Sequence, residues 1–222
     1  MSIQEVQGLR LYRNFKAIAP DDYHEIVRYY ERHKDIICDL DDFEFFDCAY
    51  SYGIALYETT DYDRFLVMVD HLIEYVIMRG VNRWRGEDVF QLLLFKKASA
   101  LYRIGRSEPC DHVLRELLRI NPAHKGAVSL LEMNSQEQKP RWLRISRACA
   151  VGASLLAAIL IAVEIFAIKP FWPEAYPVAE VAHNILLFGG IAWLSVAELW
   201  HYAAVRFHIR RFVNFEKSKK RC

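Results

Sequence analysis

The sequence has no C-x-x-C pair, and its five cysteines (Cys38, Cys48, Cys110, Cys149 and Cys222) are odd in number and widely spaced. That fits a reducing compartment better than a disulfide framework. The eight histidines show no metal-ligand spacing and no zinc pattern. The chain also lacks a nucleophile–base arrangement, a phosphate-cradling glycine loop and an H-E-x-x-H helix. No catalytic residue, metal, cofactor or small-molecule substrate is therefore expected. The opening stretch, MSIQEVQGLRLYRNF, has no apolar core, so a secretory signal is not expected. The acidic run DLDDFEFFD lacks the glycine and the distal glutamate of a calcium loop, because those places hold Glu44 and Tyr50. It reads instead as an inter-helix linker with capping aspartates.

The two parts of the chain lean to opposite signs of charge. Residues 1–135 carry 17 Lys+Arg against 22 Asp+Glu, a net of −5, and residues 136–222 carry 12 against 6, a net of +6. An acidic first part beside a basic second part argues against nucleic-acid binding, which needs many phosphate-neutralising cations on one face.

What is present is apolar length. One run extends from Ala148 to Ile168 and another from about Val181 to Val205. A hydrocarbon core about 30 Å thick is crossed by roughly 20 mostly apolar helical residues, so each run suffices for a span. Pro170, Pro173 and Pro177 interrupt the helix between them. The pair reads as an antiparallel transmembrane helical hairpin over 148–205, with a basic juxtamembrane linker (136–147) before it and a basic tail (206–222) after it. Lys139, Arg141, Arg144 and Arg147 precede the first run, and Arg206, Arg210, Arg211, Lys217, Lys219, Lys220 and Arg221 follow the second. The intervening loop has only Lys169. Basic flanks stay cytoplasmic, so both termini are expected there, with the loop outside. Phe166, Phe171, Trp172 and Tyr176 suit the outer headgroup level. A bacterial inner membrane is the preferred setting, and an organelle membrane with cytosolic exposure meets the same rule. Two buried core helices of a soluble protein are the alternative.

Ionisable residues inside a bilayer are costly and mark function or structure. Glu164 lies five residues before Lys169 and His183 six after Pro177. At 1.5 Å per residue their depths are about 7 and 9 Å, which match in an antiparallel pair. A Glu164–His183 contact, with Asn184 nearby, is expected to staple the hairpin, to line a polar path in an oligomer, or to snorkel toward headgroups. Glu198 and His201 share a face near the cytoplasmic end, where Arg206 or water would meet them. Small residues four apart (Ala148 and Gly152, Ala153 and Ala157) permit close helix contact, and Gly189-Gly190 relax the second span or admit the first. Cys149 at the membrane border and Cys222 at the end of a polybasic tail are free thiols by default and candidate acylation sites in a host with that machinery.

The first 135 residues read as helix pairs. In 91–122, apolar or small residues recur at Leu94, Ala98 and Leu101, and again at Cys110, Val113, Leu114, Leu117 and Leu118. Gly105 separates the two sets and Pro122 ends the second, giving two helices of about 14 residues joined by a tight turn. A second match covers 46–75, with Gly53, Leu56 and Tyr57 before the turn Thr60-Asp61-Tyr62. Ala98 and Gly53 are small residues 45 apart, and the 34-residue unit of the repeat family that these segments resemble implies an insertion at Val76–Asp88. Asp21–Ile37 reads as another second helix, residues 5–18 as its partner and Ala123–Met133 as a cap.

These positions resemble the tetratricopeptide repeat, a helix–turn–helix unit of 34 residues. Ala98, Gly105, Cys110 and Asn121-Pro122 fall on the small, turn, small and terminal positions, and Leu94 stands at the tryptophan position. Phe65 falls where the family prefers alanine, which implies looser packing or a splayed pair. The resemblance implies an all-α fold, a TPR-like α-solenoid of helix pairs ahead of the hairpin. It also implies a partner-binding groove lined by Asp47, Tyr50, Ile54, Tyr57 and Glu58 from one unit and Leu92, Phe95, Ser99, Tyr102 and Arg103 from the other. Phe95 and Ser99 do not fit the carboxylate-clamping subset. The same aromatics would alternatively pack within the stack. In the insertion, Arg79, Arg83, Trp84 and Arg85 form a candidate docking loop for anionic lipid or an acidic partner, or a solvated loop with Trp84 folded back.

The expected function is that of a membrane-anchored scaffold whose TPR-like domain recruits a protein partner. The partners implied are a protein or a second copy of the chain, and membrane lipid. An oligomeric membrane effector or small channel, and an accessory subunit of a larger membrane complex, are the alternatives.

Overall fold

The computed structural model describes residues 3–168 and 176–220. Among these residues the chain is all-helical apart from one two-stranded ribbon. It divides into two compact units, Met1–Leu131 and Glu132–Cys222.

The first unit begins with α1 (Ile3–Ala17), α2 (Tyr23–Arg32) and α3 (Lys34–Cys38). It continues through α4 (Asp42–Glu58) and α5 (Tyr62–Arg79), then the strands β1 (Arg83–Trp84) and β2 (Glu87–Asp88), then α6 (Val89–Arg103) and α7 (Ser107–Ile120). Helix α8 (Lys125–Glu137) crosses the division between the units. α4 packs on α2 and α5, and α6 packs on α5 and α7.

Local chemistry sets the helix ends. The carboxylates of Asp22, Asp61 and Asp88 accept the backbone N–H three residues on, at 3.1, 3.4 and 3.0 Å, capping α2, α5 and α6. Asp41 occupies the same place before α4 but makes no side-chain cap bond. Gly80 ends α5 in the left-handed conformation (φ 66°), and Gly105 turns the chain between α6 and α7 (φ 74°). The stretch expected as a single helix over Asp21–Ile37 breaks at His33. Its ring nitrogen lies 2.9 Å from the Tyr29 carbonyl, and its backbone sits at φ −119°.

The α4–α5 turn carries strain that the α6–α7 turn does not. Thr60 adopts φ 62°, where Gly105 has its counterpart. A β-branched residue there crowds its own Cβ against the backbone. Thr60 is exposed, so nothing compensates through packing. Thr60→Gly is expected to raise the stability of this unit by about 0.5–1 kcal/mol, measured as a shift in the urea midpoint of the detergent-solubilised chain.

The core of the unit is mostly apolar, with Asp47 the buried acid on α4. Ile37, Phe46, Leu56, Phe65, Leu93, Leu114 and Leu117 are all but inaccessible to solvent. Each contributes about 1.5–3 kcal/mol by leaving water. The two small positions read from the sequence both mark close approach. A Cβ on Gly53 would stand 2.9 Å from Leu72 Cδ1. The Cys110 thiol donates to the Ala98 carbonyl at 3.3 Å. Phe65, expected to loosen its pair, is fully buried and meets Tyr57 edge-on at 5.3 Å between ring centres.

The second unit holds α9 (Arg141–Val163), a π-helical turn (Glu164–Ile168) and α10 (Tyr176–Lys219). Stretches of these helices, Arg141–Phe166 and Pro177–Lys219, are long and apolar enough to cross a membrane by length and composition. α9 packs along α10. Both helices outrun the boundaries expected from sequence. α9 starts inside the segment read as a linker. α10 continues through 44 residues, so the segment read as a tail is helical to Lys219. Ile209, Val213 and Glu216 on that extension are buried. Lys169 to Trp172, Pro173, Arg221 and Cys222 lie outside the described residues, as does the side chain of Tyr176.

Candidate functional site

A groove of about 490 Å³ opens in the first unit. The end of α1 supplies Phe15 and Lys16, α2 supplies Tyr23 and Ile26, and α4 supplies Tyr50, Ser51 and Ile54. The ribbon contributes Trp84, Arg85 and Glu87, and α6 contributes Leu92 and Lys96. Its walls are mostly apolar and aromatic with a few polar groups, the usual make-up of a recognition groove.

Asp47 lies beside this groove on α4, with its side chain 4% exposed. One carboxylate oxygen accepts from Tyr12 Oη at 3.1 Å and Lys16 Nζ at 2.8 Å, and the other accepts from Arg85 at 2.7 Å. Burial works to raise the Asp47 carboxyl. The hydrogen bonds and charges of Lys16 and Arg85 outweigh it and hold the group below the usual carboxylate range. Burial, with the carboxylate beside it, pushes the Tyr12 phenol up to about 12, so it stays a donor. Arg85 also donates to Ser51 at 3.2 Å and lies over the Tyr50 ring at 5.7 Å.

The ribbon turn that carries Arg85 is unusual. Arg85 and Gly86 both have positive φ, 51° and 88°. Two such residues in succession make the turn that suits a two-residue hairpin, and an arginine is strained in the first place. The contacts of Arg85 with Asp47, Ser51 and Tyr50 hold it there. Next to it, Trp84 packs on Phe43 at 4.9 Å and edge-on against Phe46 at 4.8 Å.

The residues expected in a docking loop at 79–85 are spread over α5 and the ribbon. Arg79 belongs to the last turn of α5, donates to Asp42 at 2.8 Å and lies over the Tyr75 ring. Trp84 and Arg85 turn onto α4, and Arg83 is exposed. The expected groove stripe also divides. Tyr50, Ile54 and Leu92 line the groove. Tyr57 hydrogen-bonds Ser99 at 2.8 Å under Lys96, whose ammonium is 4.0 Å from the ring centre and bonds Glu58 at 3.0 Å. Phe95 packs on His124 at 5.0 Å and crowds Gly126. Tyr102 is half-buried and Arg103 exposed.

In the second unit, Glu164 and His183 come within 3.0 Å, both largely buried. The approach lacks hydrogen-bond alignment, so it is a close polar contact rather than a hydrogen bond. Glu164 opens the π-helical turn, a rare single-turn departure from the α-helix. At the other end of the pair Glu198 accepts from Arg147 rather than from Arg206. Of the glycines, Gly190 is the one that admits the neighbouring helix. A Cβ there would meet Ala153 Cβ at 3.4 Å, whereas Gly152 and Gly189 face open space.

Sequence reasoning missed Tyr12 beside Asp47, and on the groove it missed Phe15, Lys16, Tyr23, Ile26, Ser51, Glu87 and Lys96. A lone acid in the apolar run FFDCAY was the signal that Asp47 required partners. Comparison with known proteins returns no matching family model, no significantly similar curated protein and no significantly similar solved structure.

Proposed function

We propose that the protein is a membrane-anchored interaction module. An antiparallel hairpin of two transmembrane helices, α9 and α10, tethers a TPR-like helical domain to the cytosolic leaflet, and the groove beside Asp47 recruits a protein partner. Tethering raises the local concentration of that partner without catalysis.

The observation that carries this reading is the state of the apolar helices. Val151, Leu155 and Ile159 on α9 and Phe188, Val196 and Trp200 on α10 are each more than half exposed. Left in water, each side chain would forgo about 1.5–3 kcal/mol relative to burial. Core helices of a soluble protein would hide such faces, and lipid removes the same cost. The opposite order of the paired positions, Arg147 with Glu198 and Glu164 with His183, supports an antiparallel hairpin. Close approach at Gly53 and at Ala98–Cys110 supports the repeat reading of the other unit. Glu164 already faces His183 within one chain, which favours a staple over a polar path between copies.

The test uses the full chain in its native membrane with a photo-crosslinking residue at Ile54 or Leu92, or at Val67 on the outer face of α5. Attachment of one and the same protein from Ile54 and Leu92, and not from Val67, is the expected result. Equal attachment from Val67, or none from the groove, overturns the recruitment reading. Release of the chain by alkaline carbonate overturns the anchor.

A further inference from the structure

We propose that Arg141, Arg144, Arg206 and Arg210 form a binding ring for anionic phospholipid headgroups, and that the lysines at the end of α10 lie beyond it. The proposal rests on the membrane reading above and adds a lipid class and a set of residues to it.

The sequence offers one undivided basic cluster on each flank of the apolar runs. The structure divides the second. Because α10 is a single helix to Lys219, its cations stand at heights fixed by the rise of 1.5 Å per residue. From Arg206 to Arg210 is about 6 Å, and from Arg206 to Lys217 about 16 Å. The headgroup layer on one side of a bilayer is roughly 5–8 Å thick. A cation about 16 Å farther out also lies beyond the screening length of roughly 8 Å at physiological salt.

The partner helix sets the level. Arg147 faces Glu198, so six residues back along α9 and six forward along α10 bring Arg141 level with about Ala204–Arg206. Arg144 lies between these levels. Exposed Trp142, Trp200 and Tyr202 occupy the same band, where amphipathic rings mark a headgroup interface.

No acid competes there among the described residues. Lys139 to Arg147 contain four cations and no carboxylate. Glu198 is engaged by Arg147. From Leu199 to Phe215 there is no acid, and Glu216 is buried. The four ring arginines are exposed. A ring of cations of this kind attracts phosphate oxygens by its charge, and a phosphodiester with net negative charge is its complement. A zwitterionic headgroup presents its own ammonium to the same cations and binds less well.

The test takes the purified full chain in mild detergent with equal amounts of phosphatidylglycerol and phosphatidylcholine, and counts retained lipid by native mass spectrometry. Phosphatidylglycerol is expected to be retained about tenfold over phosphatidylcholine. The variant R141Q/R144Q/R206Q/R210Q should lose most of that preference. K217Q/K219Q/K220Q should keep it, as should the charge-preserving change of the four ring arginines to lysine, which separates lost charge from a lost fold. Equal retention of the two lipids by the parent chain overturns the inference, and so does loss of preference in the K217Q/K219Q/K220Q variant alone. A carbonate-resistant chain without lipid preference removes only the ring. A chain washed off by carbonate removes the membrane reading itself.

Discussion

Phe46→Ala is expected to destabilise the helical unit by about 3–5 kcal/mol, the cost of deleting a large ring from a closed site. Phe46 is 1% exposed. Its ring stacks on Tyr75 at 5.0 Å and takes Trp84 edge-on at 4.8 Å. Tyr75 is pinned by its hydroxyl to the Asp42 carbonyl at 2.7 Å, so it does not slide into the void. Trp84 loses the face that seats the ribbon, and its indole Nε1, already buried without a partner among the described residues, gains nothing in exchange. The groove wall should fail with the core, because Arg85 follows Trp84 directly and reaches Asp47 from that ribbon. The measurement is pulsed thiol labelling of the full chain. Cys48 and Cys110 are fully buried, and burial first, then neighbouring carboxylates, pushes their thiols up to about 12 and about 11. They react only when the unit opens. Labelling at both sites should rise by two orders of magnitude or more in Phe46→Ala, on the relation of about 1.4 kcal/mol per factor of ten. Val67→Ala, on an exposed helix face, should stay within about 0.5 kcal/mol of the parent. Parental labelling in Phe46→Ala would mean that the aromatic cluster is not what closes this unit.

How much could be read from the chain follows from the range of each interaction. Helix periodicity is local, so α6, α7 and the turn at Gly105 were legible, and so were the small residues Ala98 and Cys110. Two helices cannot approach closely over large side chains, and that demand shows in the spacing itself. The depth match of Glu164 and His183 was legible because it needs only the rise of a helix and an antiparallel pair. The break at His33 was not legible, because the apolar pattern runs through it and the deciding contact is a ring nitrogen on the Tyr29 carbonyl. The partners of Asp47 lie 31, 35 and 38 residues away in the chain, on α1 and on the ribbon. No local pattern encodes such pairings. Charge density also misled at the ends. Residues 206–222 look like a solvated tail, yet Ile209, Val213 and Glu216 recur at helical spacing and are buried.

Replacing both cations beside Asp47, in the variant K16M/R85M, is expected to lower stability at neutral pH by about 2–3 kcal/mol and to reverse its pH dependence. Taking both partners from a buried charge costs about 3–5 kcal/mol in fully closed sites. Lys16 and Arg85 are about half exposed, so solvent already screens part of their attraction and the expected cost is smaller. The sign of the pH effect is the stronger test. In the parent, Asp47 is held below its unfolded value, so near pH 3–4 the unfolded chain binds more protons than the folded one. The stabilising contribution is present above the unfolded pKa, about 3.9 for aspartate, and is lost as pH falls through the folded value. In the variant, burial acts alone, with only the Tyr12 hydroxyl still donating, and pushes the carboxyl up. The folded chain then binds more protons than the unfolded one, and stability at this site should rise as pH falls from 7 through the carboxyl's raised value. Hydrogen-exchange protection of α4 peptides in the full chain, corrected for the intrinsic pH dependence of exchange, reports both slopes. Parallel slopes in parent and variant would show that Lys16 and Arg85 do not set the charge state of Asp47. The groove would then be an apolar recess beside an independent acid rather than a site whose floor, wall and ribbon are joined through one carboxylate.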